Sequence, residues 1–137
     1  MKVLLDLNIV MDVLLNRQPW AADSSAVWNA HQSGEFDGYL AATEITNLHY
    51  IVRKLAGEST ARSAINVCLN GFAIVPVDQP ILLAAEALAG KDFEDDVCIA
   101  CAVAVSAVWI VTRDASGFTQ SAVPAISPAD LLKQLRS

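Results

Sequence analysis

The stretch Lys2-Val3-Leu4-Leu5-Asp6-Leu7-Asn8-Ile9-Val10-Met11-Asp12 constrains the fold more than any other. Val3, Leu4 and Leu5 form a short unbroken apolar run, the pattern of a strand buried on both faces of a parallel sheet; a strand with one wet face alternates instead. The run stops at Asp6. Ligands of open α/β sheets bind just outside the carboxyl ends of the strands, so a carboxylate placed there faces the region where chemistry is done. Ile9 to Leu15 then reads as helix, with Asn8 and Asp12 one turn apart on one face. An Asp at a strand end has a second use, capping the helix that follows. Asp6 alone does not separate the two.

The same pattern recurs along the chain. Asn16-Arg17-Gln18-Pro19 breaks the first helix, and Trp20 to Gln32 resumes with Trp20, Ser24, Val27, Trp28 and His31 near helical spacing, closed by Gly34 as C-cap. Gly38 to Ala41 is a short strand. Thr43 is placed as the N-cap of a helix over Glu44 to Leu55, whose apolar stripe is Ile45, Leu48, Ile51, Val52 and Leu55. Glu44 therefore lies in a first helical turn at the same edge as Asp6, where it also complements the helix dipole. A helix over Ser59 to Leu69, a strand over Phe72 to Val75 and a helix over Gln79 to Ala89, ending at Gly90, come next. Lys91 to Val97 then opens an apolar helix with Asp92, Glu94, Asp95 and Asp96, four carboxyls in five residues. Adjacent helical residues diverge by about a quarter turn, so Asp95 and Asp96 cannot both face one site. Val108 to Val111 is a further strand and ends at Thr112-Arg113-Asp114, repeating the arrangement at Asp6. After a loop over Ala115 to Phe118, a brief strand at Pro124 to Ile126 precedes a last helix with Ser127 as N-cap and Pro128 at its first position. Alternating strands and helices predict a three-layer α/β/α sandwich around a parallel sheet of four to five strands, a single domain over 1–137, with right-handed crossovers bringing every strand end to one edge.

Bulk properties narrow the function. The chain carries nine Lys and Arg against fifteen Asp and Glu, a net charge of -6, and has no basic run, which argues against gripping nucleic acid by bulk electrostatics. A cleft charged by bound cations stays open as a way to hold phosphate. Cys68, Cys98 and Cys101 are an odd count in apolar surroundings and read as small buried side chains, despite the CxxC spacing of the last two. The longest apolar run, Val97 to Val111, is too short to span a bilayer and contains Ser106. Asp6, Asn8 and Asp12 interrupt the N-terminal apolar residues, so no secretory signal is read there and a cytoplasmic location with no membrane contact is expected.

Asp6, Glu44, Asp95 and Asp114 each fall at a strand's carboxyl end or in a helix's first turn on that edge. Gathered carboxylates repel one another and hold protons unless a cation neutralises them. An oxygen-only set suits Mg²⁺ or Mn²⁺. Such ions polarise a phosphodiester and activate water, so metal-assisted phosphodiester hydrolysis is the chemistry implied.

At these residues the chain resembles the PIN-domain family of nucleases. Asp6-Leu7-Asn8, Thr43-Glu44-Ile45, Asp92-Phe93-Glu94-Asp95 and Thr112-Arg113-Asp114 stand in the family's order over nearly the whole length. The resemblance implies a Mg²⁺- or Mn²⁺-dependent endoribonuclease. Many bacterial members are VapC-type toxins held by a cognate antitoxin, often as homodimers. By position it implies Asp6, Glu44, Asp95 and Asp114 as the acidic quartet, with metal on Asp6, Asp95 and Asp114, and Asn8 and Thr112 as polar support. Asp96 stands where relatives often have a small residue, which leaves the choice between Asp95 and Asp96 open and makes Asp96 a further supporting position. Gly117 stands where close relatives frequently have Asp. The face for RNA is thin: Arg17 and Arg113 are the leading contacts, with Arg53, Lys54 and Lys91 behind them, and Trp20 and Trp28 are candidates for an exposed interface.

Two other classes compete. A PIN-like binding module without catalysis is favoured by the acidic charge, and would show no Mn²⁺ uptake that depends on Asp6 and Asp95. An aspartyl phosphotransfer domain also has acidic strand ends, but it needs a Lys at a later strand end, where this chain has Arg113.

Overall fold

In the computed structural model, which describes residues 1–137, the chain runs β1 (Lys2–Leu5), α1 (Leu7–Leu14), α2 (Ala21–Gln32), β2 (Asp37–Ala41), α3 (Ala42–Ala56), α4 (Glu58–Gly71), β3 (Ala73–Val75), α5 (Gln79–Leu88), α6 (Phe93–Ala104), β4 (Trp109–Val111), a 3₁₀ turn at Ala115–Phe118, β5 (Ala125–Ile126) and α7 (Pro128–Leu135). The five strands form one sheet in the order β3-β2-β1-β4-β5, and every pairing is parallel. Val3 and Leu5 pack on one face with α1 to α4 and α7, while Leu4 and Ile110 pack on the other with α5 and α6. Helices on both faces explain why β1 has no polar alternation. They also explain α6, which is buried without a break from Asp96 to Ala102.

Connections away from β1 run both ways, to β2 and β3 on one side and to β4 and β5 on the other. Between β1 and β4 the strand order reverses, and this is where an open parallel sheet leaves a crevice at its carboxyl edge. Asp6 follows β1 and Thr112-Arg113-Asp114 follows β4, so both flank that crevice. The backbone joins them directly, because the Asp6 N–H donates to the Val111 carbonyl at 3.0 Å.

Several sequence expectations need correction. Thr43 does not cap α3: the helix begins at Ala42, straight out of β2, and Thr43 already lies in its first turn. Leu55 is exposed, since it projects beyond the core at the C-terminal end of α3. Gly90 is not the C-cap of α5. Ala89 takes the left-handed conformation there, with φ of 50°, and Gly90 serves a different need described below. Trp28 is buried, packed edge-on against Phe72 at 5.0 Å, because it shares the inward face of α2 with Ser24 and Val27; only Trp20 is exposed. The segment read as a loop over Ala115 to Phe118 is a 3₁₀ turn.

Asp12 is fully buried on α1 and is the hub of a polar network. Its carboxylate accepts from Arg17 Nε at 2.9 Å, from Arg113 Nε at 2.9 Å and Nη2 at 3.3 Å, and from Ser24 Oγ at 3.4 Å. The Arg113 guanidinium also stacks on the Trp20 ring, 3.8 Å from its centroid. The network fastens α1, α2 and the end of β4 to one another. Its two sides are unequal: the arginine side chains keep 33% and 26% exposure while that of Asp12 keeps none. Replacing both Arg17 and Arg113 by Ala strands a buried carboxylate and is expected to cost about 3–5 kcal/mol. Asp12→Ala leaves guanidiniums that can rehydrate and is expected to cost less. Urea denaturation of the two variants checks the order, and a larger loss for Asp12→Ala would refute this account.

Candidate active site

Asp6 occupies the N-cap position of α1, yet its side chain makes no capping hydrogen bond. Its Oδ2 instead accepts from the Thr112 hydroxyl at 2.8 Å, and the Thr112 oxygen accepts from the Asp114 N–H at 3.0 Å. Three consecutive residues after β4 thus have separate tasks. Thr112 holds Asp6, Arg113 turns away to Asp12, and Asp114 stays at the rim, where its Oδ1 accepts from Ser116 Oγ at 2.6 Å.

Glu44 is also more than a dipole complement, because it is 4% exposed. One oxygen, Oε1, accepts from the Cys98 thiol at 2.9 Å, and the other, Oε2, is buried with no partner. Ligand atoms of Asp6, Glu44 and Cys98 lie within 4.8 Å of one another. Asp95 and Cys98 are one turn apart on α6, so both reach this place from a single helical face. Asp6, Thr43, Glu44, Asn47, Glu94, Asp95 and Cys98 line a small recess of about 30 Å³. On its other side Asp95 lines a cleft of about 460 Å³ together with Lys91, Asp114 and Ser116. Asp95 lines both spaces, with Asp6 and Glu44 on one side of it and Asp114 on the other. A third cleft of about 530 Å³, between the end of β4 and α7, is lined by Thr112, Arg113, Ser127 and Lys133.

Between Asp95 and Asp96 the geometry discriminates. Asp96 is 2% exposed and faces away, accepting from the Gly90 N–H at 2.9 Å and from Gln120 Nε2 at 2.8 Å. A Cβ on Gly90 would sit 2.4 Å from both Asp96 Oδ1 and Gln120 Nε2, so Gly90 is there for close approach. Asp95 instead lies over Gly117, where a Cβ would come within 2.3 Å of its Oδ2. Asn8 sits at the start of α1 with a buried, unpartnered Oδ1. Arg17 and Arg113 are both engaged by Asp12, Arg17 Nη2 also reaching the Asn8 carbonyl at 3.4 Å, and only Arg113 lines the third cleft.

The charges are frustrated. Burial raises the Asp6 carboxyl above its ordinary range, the Thr112 hydroxyl and the Leu7 N–H pull it back, and Asp114 repels it. Burial pushes Glu44 well above the usual carboxylate range against the Cys98 hydrogen bond, with Asp6, Asp95 and Glu94 adding repulsion. Asp95 is raised from 3.8 to about 7 by burial, then by Asp92, Asp6, Asp114 and Asp96. Burial and the neighbouring Glu44 raise the Cys98 thiol, which keeps its proton and donates it.

A divalent cation suits this arrangement on two counts. The recess offers carboxylate oxygens and no basic side chain, and Glu44 Oε2 is a buried acceptor with nothing to accept from. Sequence reasoning missed Cys98 and Asn47 in the recess. Their signal was present, since each lies one turn after an acidic residue already singled out, Asp95 and Glu44.

The family model for the PIN domain matches residues 2–116. The chain belongs to the PIN-domain family. Its fold is similar to VapBC2 from Rickettsia felis bound to a DNA fragment from their promoter, with a TM-score of 0.73 at 15% identity over 93% of this chain and 98% of that one. FitAcB from Neisseria gonorrhoeae gives a TM-score of 0.72 at 20% identity over 93% and 98% of the two chains. A toxin-antitoxin complex from Klebsiella pneumoniae gives 0.66 at 20% over 92% and 97%. At these identities the likeness establishes the fold. No curated protein sequence matches. The sheet has five parallel strands, and no helix is long and apolar enough to cross a membrane.

The raised carboxyls make stability depend on pH. Folded Asp6, Glu44 and Asp95 keep protons at pH values where the unfolded chain has lost them, so their contribution is fullest below the unfolded values near 4 and falls as pH rises toward about 7. In chelator, the melting temperature is expected to be lower at about pH 7.5 than at about pH 5, and Asp95→Asn is expected to flatten the difference. Thermal melts at the two pH values check this; an unchanged slope in the variant would count against it.

Proposed function

We propose that this PIN-domain chain is an endoribonuclease dependent on Mg²⁺ or Mn²⁺, acting as the toxin of a bacterial toxin-antitoxin pair in the cytoplasm, with residues 1–137 as a single nuclease domain. The observation that supports the reading is the placement of Asp6 and Glu44 in a recess and Asp114 in an adjoining cleft, with Asp95 lining both and Glu44 Oε2 unpartnered. Asp6, Asp95 and Asp114 would hold the cation, and Glu44, the fourth acidic group, would face it with its unpartnered Oε2. When bound, the ion supplies Lewis-acid polarisation of the phosphodiester and an activated water.

The chain's own residues set the frame for that chemistry. Thr112 locks the Asp6 rotamer, and the Asp114 N–H locks Thr112 in turn. Asp96 ties α6 to the turn before it and to Gln120, which fixes where Asp95 points. Asn8 lends polar support at the start of α1. An RNA strand crossing the acidic surface finds the third cleft on one flank, where Arg113 is held ready by Asp12 and Trp20 and Lys133 adds charge. Arg17 acts beside it through the same carboxylate. The antitoxin partner is supported by the complexes that share this fold, and a homodimer by exposed apolar side chains such as Leu82 and Leu83 on α5.

Asp6→Asn is expected to lower Mn²⁺-dependent cleavage of RNA by at least roughly 100-fold, the scale on which one electrostatic stabiliser acts, with the far-ultraviolet circular dichroism unchanged. Gel-based cleavage assays on folded variant and wild type check this. Undiminished cleavage by the variant would overturn the assignment, and absence of both cleavage and Mn²⁺ uptake in the wild type would favour a silent binding module.

A further inference from the structure

Cys98 is the one thiol in the recess, and its placement is specific. It sits on α6 one turn beyond Asp95, 5% exposed, with Sγ 2.9 Å from Glu44 Oε1. This is the hydrogen bond the Glu44 carboxyl has, and Oε2 has none. A glutamate side chain has three rotatable bonds, so in a buried recess the orientation of Oε2 depends on what holds Oε1. The sulfur lies close enough to Asp6 and Glu44 to be mistaken for a ligand. Its chemistry argues otherwise: the 2.9 Å contact with Oε1 is a hydrogen bond from the thiol, and a soft sulfur suits Mg²⁺ or Mn²⁺ less well than the carboxylate oxygens beside it.

We propose that Cys98 is a positioning residue for the metal centre: its thiol holds Glu44 Oε1 so that Oε2 points at the cation, and the sulfur itself stays off the ion. This rests on the metal-dependent reading above. Partners that orient a ligand in this way typically change metal affinity by about 10–100-fold when removed. Such a role has a chemical signature. It needs a donor at this position and does not need sulfur.

The experiment uses the full chain with Mn²⁺ and Co²⁺ as probes. Mn²⁺ affinity is measured by calorimetry for wild type, Cys98→Ala, Cys98→Ser and Cys101→Ala, each checked for folding by circular dichroism. Cys98→Ala is expected to weaken Mn²⁺ binding about 10-fold or more, Cys98→Ser to restore most of it, and Cys101→Ala, on the same buried helix but without a hydrogen bond to Glu44, to leave it unchanged. Co²⁺-loaded wild type is expected to lack the near-ultraviolet sulfur-to-cobalt charge-transfer band. Unaltered Mn²⁺ affinity in Cys98→Ala overturns the proposal, as does a failure of Cys98→Ser to restore binding. A charge-transfer band that Cys98→Ala abolishes overturns it in favour of sulfur as a ligand, with the metal-dependent reading intact. No uptake of either ion by the wild type removes that reading and this proposal together.

Discussion

Burial of carboxylates gathered at one edge of the sheet, with their mutual repulsion added to it, is the constraint to which the rest of this structure responds. The parallel topology delivers Asp6, Glu44 and Asp114 to that edge because each follows a strand, and α6 adds Asp95 from its first turn. Burial makes the repulsion stronger, since charge is poorly screened away from water. Every neighbouring polar contact can be understood by whether it offsets that burial or leaves it. Thr112 and the Leu7 N–H partly relieve Asp6, while Glu44 and Asp95 remain with raised proton affinities.

Acids only a few residues away have a different fate, which shows that acidity alone does not mark the site. Asp12 is buried more deeply than Asp6 yet has two guanidiniums and a serine, and Asp96 is buried next to Asp95 yet has a backbone N–H and a side-chain amide. Both are satisfied and both brace the elements that carry an unsatisfied neighbour. Asp12 pins the end of β4 through Arg113, and Asp96 fixes the first turn of α6. The two kinds of carboxylate are therefore separated by donors: where donors are abundant the acid braces the fold, and where they run out it keeps an unsatisfied oxygen.

The strands and their acidic ends were legible in the sequence because double burial writes a continuous apolar run, and a carboxylate at its end marks where the strand leaves the core. Ser127 as the cap of α7 was legible for a local reason, since its side chain reaches only as far as the Asp130 N–H. What stayed hidden depends on distant partners. The role of Asp12 is set by Arg113, 101 positions away, and that of Cys98 by Glu44, 54 positions away. The different surroundings of Asp95 and Asp96 turn on Gly90 and Gln120, whose approach no periodicity encodes. Thr43 misled because a good capping residue has no role when the strand passes into the helix one residue earlier. Trp28 and Leu55 misled in opposite directions, one being inside the packed face of α2 and the other beyond the end of the core.

The commitment of the arginines bears on how an acidic chain can meet a polyanion. With nine cationic side chains in 137 residues, Arg17 and Arg113 would be the natural contacts for phosphate, yet their Nε groups are held by Asp12. A guanidinium fixed by a buried carboxylate and an aromatic face has lost its conformational freedom in advance and retains edges for a ligand, but it brings little net charge. The recess itself has no basic side chain. On the proposed reading, charge to offset a phosphodiester there is brought by a cation, and the carboxylates whose proton affinity is raised by burial and repulsion are the groups that would hold it. A cation bound there would relieve the protein's own electrostatics before it did anything for a substrate, and would couple the stability of this edge to its occupancy.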